Sequence, residues 1–233
     1  MERLDKYLST QTTLTRREAT AKIRRGAVTV NGKPVRDPSA KLEPSSAEVT
    51  LDGQAVSYFK YLYIMLNKPS GILCVSRDPH APTVVDLLPD EWRSRHLFPA
   101  GRLDKDTTGM VLLTDDGDYA HRMLAPKKHV PKRYLVTLSH PADAATVDAF
   151  ASGLTLRDGE QCLPAVCEPL EGNAAVVTLH EGKYHQIKRM FAACGNHVEA
   201  LHRLSMGGLE LDPSLAPGES KMLSNQEAMT VFL

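Results

Sequence analysis

The fold prediction starts from residues 101–117, which read GRLDKDTTGMVLLTDDG. Its first half is polar and rich in turn-forming residues, whereas the apolar run at residues 109–114 predicts a buried strand. The polar residues 115–117 then predict the start of a helix that ends before Pro126. Because a rigid strand follows directly, the polar loop holds its side chains in fixed positions and is a candidate site for chemistry.

Short strands and helices alternate on both sides of this segment. Further strands are expected at residues 61–66, 134–138 and 175–179, and helices at residues 143–150 and 186–194. A capping box formed by Ser224 and Glu227 predicts a C-terminal helix. Since the spacing lacks a regular βαβ period, we expect an α+β body, with a mixed, largely antiparallel sheet and flanking helices.

The N-terminal end is strongly basic, although the net charge of the whole chain is zero. Residues 1–36 contain nine Lys or Arg and three Asp or Glu, hence a charge of +6, and the other 197 residues carry −6. This asymmetry favours a basic module that binds a polyanion, joined to a body with another task. Pro, Ser and Gly residues before position 59 predict a first domain of residues 1–58 and a second of residues 59–233.

Within the basic module, a capping box formed by Thr15 and Glu18 predicts a helix that ends at Gly26. A shorter helix is expected before it, and Asn31-Gly32 predicts the turn of a hairpin. Solvated surface charge explains any single cation of this module. Five cations on one short helix instead favour a phosphate-binding face, made of Arg16, Arg17, Lys22, Arg24 and Arg25.

The candidate site residues lie in three segments that are far apart in sequence. Asp104 lies in the polar loop, where a single aspartate is more often a turn former than a catalytic group. Tyr134 begins a strand, and the alternative is a half-buried sheet tyrosine. Lys188 lies at the edge of an apolar helical stripe, where its ammonium can reach a site. Lys183 and Arg189 add more positive charge than a plain amphipathic helix requires.

Several classes of protein are excluded or disfavoured. No apolar stretch approaches the ~18 residues that cross a bilayer, and the charged N-terminus lacks the apolar core of a signal peptide. A cytoplasmic protein is therefore expected. The four cysteines lack CxxC spacing and a nearby His cluster, which favours reduced, buried thiols over a zinc site.

Taken in order, these segments resemble the RsuA-type pseudouridine synthases, bacterial enzymes that modify ribosomal RNA. RLDKYL and VTVNGKPV resemble a ribosomal-protein-S-four-like RNA-binding domain, the αL motif. In the body, the resemblance is carried by NKPSG, GRLDKDTTG with TDDG, KRY, EGKYHQIKRMF and LHRLSMGGLEL. It implies the pseudouridine synthase fold and the isomerisation of a flipped uridine without a metal or a small-molecule cofactor.

The resemblance also assigns roles to four residues. Asp104 falls on the catalytic aspartate, which attacks as a nucleophile or stabilises developing charge. Lys188 falls on its basic partner, and Tyr134 falls on a tyrosine that stacks on the uracil or assists proton removal. Arg102 falls on an arginine that holds RNA around the flipped nucleotide. Phosphate contacts are expected from the N-terminal helix and from Lys183 and Arg189.

The form YHQIKRMF, with lysine at position 188, resembles the branch that modifies one uridine of small-subunit (16S) rRNA. We therefore expect a monomer that acts on ribosomal RNA or on the assembling small subunit. Three alternatives remain open. The chain can be a synthase for a 23S rRNA site, a non-catalytic ribosome-binding protein, or an N-glycosidase that activates water through a second acid such as Asp106.

Overall fold

The computed structural model describes residues 1–125 and 130–233. This part of the chain divides into two compact units, which are Met1–Leu62 with Leu88–Leu97, and Tyr63–Leu87 with Phe98–Leu233. The division into domains of residues 1–58 and 59–233 stays a prediction. No sequence pattern associated Leu88–Leu97 with the first unit.

Short elements build the first unit. In chain order they are β1 (Glu2–Arg3), α1 (Leu4–Gln11), α2 (Arg16–Arg24), β2 (Val28–Val30), β3 (Lys33–Pro34), β4 (Lys41–Leu42), β5 (Val49–Leu51), β6 (Gln54–Ala55) and α3 (Asp90–Arg93). One sheet has the order β3-β2-β5-β6, and β1 pairs with β4. The core between these elements contains Leu4, Tyr7, Leu8, Ala19, Ile23, Val28, Leu42 and Val49.

The predicted local signals of the first unit are confirmed. The hydroxyl of Thr15 accepts a hydrogen bond from the backbone N–H of Glu18, and the Glu18 carboxylate accepts one from the backbone N–H of Thr15. The predicted hairpin turn is present, and both Asn31 and Gly32 have a positive φ, as a two-residue type I′ turn requires. These features depend only on residues within four positions of each other.

Arg95 holds the later segment to the first unit. Its buried guanidinium donates hydrogen bonds to the carbonyl oxygens of Phe59 (2.8 Å) and Lys60 (2.9 Å) and to the amide oxygen of Gln11 (3.3 Å). Because these contacts join residues 35 or more positions apart, a local sequence pattern cannot indicate them.

The second unit contains the larger set of strands and helices. In chain order they are β7 (Tyr63–Lys68), β8 (Phe98–Pro99), β9 (Thr108–Thr114), α4 (Gly117–Leu124), β10 (Lys132–Leu138), α5 (Ala144–Ser152), β11 (Val166–Pro169), β12 (Ala174–Leu179), α6 (Gln186–Ala193), β13 (Val198–Met206), β14 (Leu209–Glu210), β15 (Ser220–Met222) and α7 (Asn225–Met229). A 3₁₀ turn at Thr230–Phe232 follows α7.

Within the described residues, one sheet of the second unit has the order β11-β12-β10-β13-β9-β7-β15, with β14 on β13 and β8 on β9. The β13–β9 pair is parallel, and the other pairs are antiparallel. The α+β prediction, with a mixed, largely antiparallel sheet, is confirmed. Strand β13 was not predicted from the sequence, because its inward positions include Arg203 and Ser205 and therefore lack a clean apolar alternation.

The parallel contact between β9 and β13 requires a glycine. Gly109 has φ +97°, and a Cβ atom placed on it would lie 2.4 Å from the carbonyl oxygen of Arg203. Only glycine adopts this backbone conformation without strain and allows so close an approach. Gly109 therefore fixes the position of β13 beside the strand that follows the polar loop.

Candidate active site

A cavity of about 680 Å³ lies in the second unit. Its walls come from the loop before β9, from strands β10, β12 and β13, and from the segment that leads into α6. Its lining includes Arg102, Asp104, Tyr134, Lys183, His185 and Arg203. The structure therefore brings residues from all three predicted segments to one cavity.

A buried lysine holds the loop that carries Asp104. Lys68 is 0% exposed, and its ammonium donates hydrogen bonds to the carbonyl oxygens of Pro69 (3.0 Å), Lys105 (3.0 Å) and Thr107 (2.9 Å). Burial lowers the pKa of Lys68. Because the carbonyls of Lys105 and Thr107 follow closely after Asp104 in sequence, Lys68 fixes the backbone on which the candidate nucleophile is placed.

Two basic side chains of the α6 region lie against Asp104. The imidazole Nε2 of His185 is 3.5 Å from Oδ1 of Asp104, and the ammonium of Lys188 is 3.5 Å from Oδ2. Lys188 also lies 2.7 Å from both carboxylate oxygens of Asp106. The expected pair of Asp104 with Lys188 is thus a cluster in which Lys188 binds Asp106 more closely.

The two carboxylates of this cluster differ in their surroundings. The side chain of Asp104 is 26% exposed and lines the cavity, whereas that of Asp106 is 68% exposed. The hydrogen bond from Lys188 lowers the pKa of Asp106. Asp106 therefore acts as a surface partner that orients Lys188, while Asp104 faces the space where a substrate can bind.

The start of α6 explains how His185 reaches Asp104. His185 has φ 47°, in the left-handed region, and its side chain makes no capping hydrogen bond. The side chain of Gln186 makes the local hydrogen bonds instead. Its amide oxygen accepts from the backbone N–H of Lys183, and its amide nitrogen donates to the carboxylate of Glu181. The imidazole is thereby free to face the cavity. A non-glycine residue in this backbone region costs about 1–3 kcal/mol and is typical of functional sites.

Tyr134 and Arg203 are cross-strand neighbours in the register of β10 and β13, and both line the cavity. Arg203 is 1% exposed, and its Nε donates to the carbonyl oxygen of Met110 at 2.7 Å. Its buried Nη2 has no hydrogen-bond partner among the described residues. Since a buried, unpartnered donor is costly, Arg203 is suited to meet an electron-rich group in the cavity.

Four residues of the site were not predicted from the sequence, namely Arg203, Lys132, Lys68 and His185. No local pattern indicated the burial of Lys68 or Arg203, because Lys68 follows the strand expected at residues 61–66 and Arg203 lies on the unpredicted strand β13. Burial first, and then repulsion by Arg203, lower the pKa of Lys132 to about 8. Lys132 also lines the cavity, where its ammonium donates to the carbonyl oxygen of Val130.

Lys183 and Arg189, both expected to bind phosphate, are engaged with carboxylates in the structure. The ammonium of Lys183 lies 3.1 Å from Glu160, and the guanidinium of Arg189 binds Glu160 at 2.8 Å and also Asp158. An RNA phosphate would have to compete with these carboxylates. Their role in RNA binding stays a prediction.

The role of the cations at residues 16–25 as RNA ligands likewise stays a prediction. Arg16 lies 3.4 Å from Asp5, and Lys22 lies 2.6 Å from Asp52. Arg17, Arg24 and Arg25 are exposed, and none of them forms an ion pair within residues 1–125 and 130–233. These three side chains are therefore the ones most available to an external anion.

Neither a metal cluster nor a membrane-spanning helix is found in the described part of the chain. No group of three or more His, Cys, Asp or Glu side chains is arranged there to hold a metal ion. No helix of the described ranges combines the length and the apolar composition needed to cross a bilayer.

The chain is similar to known RNA-modifying proteins over nearly its whole length. Residues 62–193 match the family model of RNA pseudouridylate synthases, and residues 2–47 match that of the S4 domain. The chain is 45% identical to a protein of Bacillus subtilis called uncharacterized RNA pseudouridine synthase YtzG, over 97% of this chain and 96% of the relative.

Two further relatives have similar coverage. The chain is 45% identical to ribosomal small subunit pseudouridine synthase A of Escherichia coli, over 98% of this chain and 99% of the relative. A pseudouridylate synthase crystal structure aligns with a TM-score of 0.70 and 40% identity, covering 99% of this chain and 100% of the other.

Proposed function

Because the chain belongs to the RNA pseudouridylate synthase family, and is therefore an isomerase acting on RNA, we propose that it converts one specific uridine of 16S rRNA to pseudouridine. The similarity to the small-subunit synthase of Escherichia coli supports this choice of RNA. The observation that carries the proposal is the Asp104 carboxylate, which lines the cavity with two basic groups 3.5 Å away.

We assign the nucleophilic role to Asp104. The isomerisation breaks the N1–C1′ bond and forms a C5–C1′ bond, while C5 loses a proton and N1 gains one. An ionised carboxylate at C1′ or C6 attacks directly and gives a covalent intermediate. The ammonium of Lys188, 3.5 Å from Oδ2 of Asp104, provides a positive charge beside the attacking carboxylate.

The remaining site residues hold the flipped nucleotide. Extruding a base from a folded RNA costs a few kcal/mol, which contacts elsewhere must offset. Tyr134 stacks on the uracil within the cavity, and the exposed Arg102 contacts the RNA around it. Lys183 and Arg189 bind backbone phosphates in the second domain. The cations that bind phosphates in the domain of residues 1–58 are Arg16, Arg17, Lys22, Arg24 and Arg25.

The target is tested by carbodiimide mapping of pseudouridine in 16S and 23S rRNA from a strain that lacks the gene. We expect the loss of one 16S site and its return when the gene is restored. Loss of a 23S site with 16S unchanged would refute the choice of RNA. We also propose that the enzyme acts in the cytoplasm and is a monomer. Light scattering of the purified protein measures its oligomeric state.

The role of Asp104 is tested by Asp104→Asn, with Asp106→Asn as the matched control. Asp104→Asn should abolish isomerisation and leave RNA binding in a gel-shift assay intact, because the amide keeps the shape of the side chain but is no nucleophile. Asp106→Asn should keep the activity within about tenfold, since it alters an exposed partner of Lys188. Isomerisation that survives in Asp104→Asn refutes the assignment, and release of free uracil identifies an N-glycosidase instead.

A further inference from the structure

An exposed aromatic side chain lies at the cavity beside the candidate nucleophile. Tyr184 is 76% exposed, yet it is one of the residues that line the cavity. Its ring stacks on the imidazole of His185, with the centroids 3.8 Å apart and an angle of 18° between the planes. The other ring face of Tyr184 is thereby left to solvent.

Backbone contacts and backbone conformation hold the stacked pair in place. Arg189 donates a hydrogen bond to the backbone carbonyl oxygen of Tyr184 at 3.0 Å, and Arg189 is itself bound by Glu160. His185 is fixed by its left-handed backbone conformation at the start of α6. Within the described residues, the hydroxyl of Tyr184 makes no hydrogen bond, so the polar end of the side chain does not account for its position.

The pair lies next to the candidate nucleophile. The Nε2 atom of His185 lies 3.5 Å from the Asp104 carboxylate, and the Tyr184 ring stacks on the same imidazole. A uridine whose ribose carbon meets Asp104 must leave its neighbour in the RNA chain close to these rings. A flipped base also loses its stacking partners, and so does the base next to it.

We propose that Tyr184, supported by His185, is a stacking platform for the base of a nucleotide adjacent to the target uridine. The inference rests on the proposed function and adds a contact outside the uridine itself. Every base has a π-face, so such a platform binds single-stranded RNA with little preference for the base. The platform stabilises the open RNA in which the target is flipped, and the chemical step remains with Asp104.

The test uses single-turnover kinetics on a 16S rRNA fragment that spans the mapped uridine. Tyr184→Ala should raise the half-saturating enzyme concentration about 5- to 150-fold, which corresponds to the 1–3 kcal/mol of base stacking at 1.36 kcal/mol per tenfold change. The maximal rate should stay within about twofold. Tyr184→Phe should match the wild type because it keeps the ring, and Tyr184→Leu should resemble Tyr184→Ala.

An RNA variant identifies the occupant of the platform. Replacing the nucleotide on the 5′ or the 3′ side of the target by an abasic residue should weaken wild-type binding on one of the two sides. The same replacement should leave the RNA affinity of Tyr184→Ala almost unchanged, because this variant has already lost the stacking interaction. Leu170→Ala, which truncates an exposed apolar side chain that does not line the cavity, should behave as the wild type on every RNA.

Three results would overturn the inference. The first is an unchanged half-saturating enzyme concentration in Tyr184→Ala, and the second is an equal loss of affinity for the abasic RNA in the wild type and Tyr184→Ala. The third is a fall in the maximal rate of Tyr184→Ala alone, which would show that Tyr184 acts by positioning His185. The proposed function is decided separately, by whether the wild type forms pseudouridine in the unmodified 16S fragment.

Discussion

Replacing Lys68 by methionine removes the ammonium that holds the Asp104 loop and leaves an apolar chain of similar length. Three carbonyl oxygens, at 2.9–3.0 Å from Nζ, lose this donor, although that of Lys105 keeps a hydrogen bond from the backbone N–H of Gly71 at 2.9 Å. An unpaired buried acceptor costs about 1–3 kcal/mol, so the loss at Pro69 and Thr107 together is about 2–6 kcal/mol. Burying the Lys68 ammonium costs the wild type several kcal/mol. The methionine variant does not bear this cost, which offsets part of the loss in stability. We therefore expect the free energy of unfolding to fall by about 2–3 kcal/mol.

The same change should reduce catalysis more than binding. The carbonyl of Thr107 loses its hydrogen bond to the ammonium and turns toward water, and the loop of residues 104–107 shifts with it. A displacement of about 1 Å at a reacting group costs about 10²-fold in rate. We therefore expect Lys68→Met to lower the maximal single-turnover rate about 100-fold, with RNA affinity within about threefold of the wild type.

Urea unfolding followed by circular dichroism measures the stability of Lys68→Met, and release of tritium from [5-³H]uridine measures its activity. Lys105→Met is the matched control, because it removes a neighbouring exposed charge and keeps the backbone carbonyl that Lys68 binds. Its unfolding free energy should stay within about 0.5 kcal/mol of the wild type. If Lys68→Met has wild-type stability and a wild-type rate, Lys68 does not hold the loop in the way its contacts indicate.

Two other predictions concern the central strands. Gly109→Ala should lower the free energy of unfolding by more than about 3 kcal/mol, because its Cβ would lie 2.4 Å from the carbonyl oxygen of Arg203 at φ +97°. Gly159→Ala, at φ +87° in open space, should cost only the backbone strain of about 1–2 kcal/mol, and equal losses in the two variants would contradict the steric explanation. The pKa of Lys132 is lowered to about 8 in the folded protein, so between pH 8 and 10.5 the unfolded state binds more protons than the folded state. The free energy of unfolding of the wild type should therefore rise with pH over this interval, relative to that of Lys132→Met. Urea unfolding at pH 7, 8, 9 and 10 measures this difference, and parallel pH profiles would show that Lys132 does not contribute.

The sequence predicted the local elements well where a few neighbouring residues determine them. The capping box of Thr15 and Glu18 and the turn at Asn31 formed as expected because their hydrogen bonds join residues close along the chain. Strand β13 was missed because Arg203 interrupts its inward apolar positions. The segment Leu88–Leu97 was missed for a related reason, since Arg95 binds carbonyls far away in sequence.

The order of the sequence motifs was enough to indicate the family, together with the residue types at positions 104, 134 and 188. The sharing of Lys188 between Asp104 and Asp106, and the approach of His185 to Asp104, became visible only in the folded chain. Loop conformation and sheet register set such contacts. They bring atoms of residues about 80 positions apart in the chain to hydrogen-bonding distance. Periodicity and propensity describe only the neighbours of each residue, and so they carry no information about those distances.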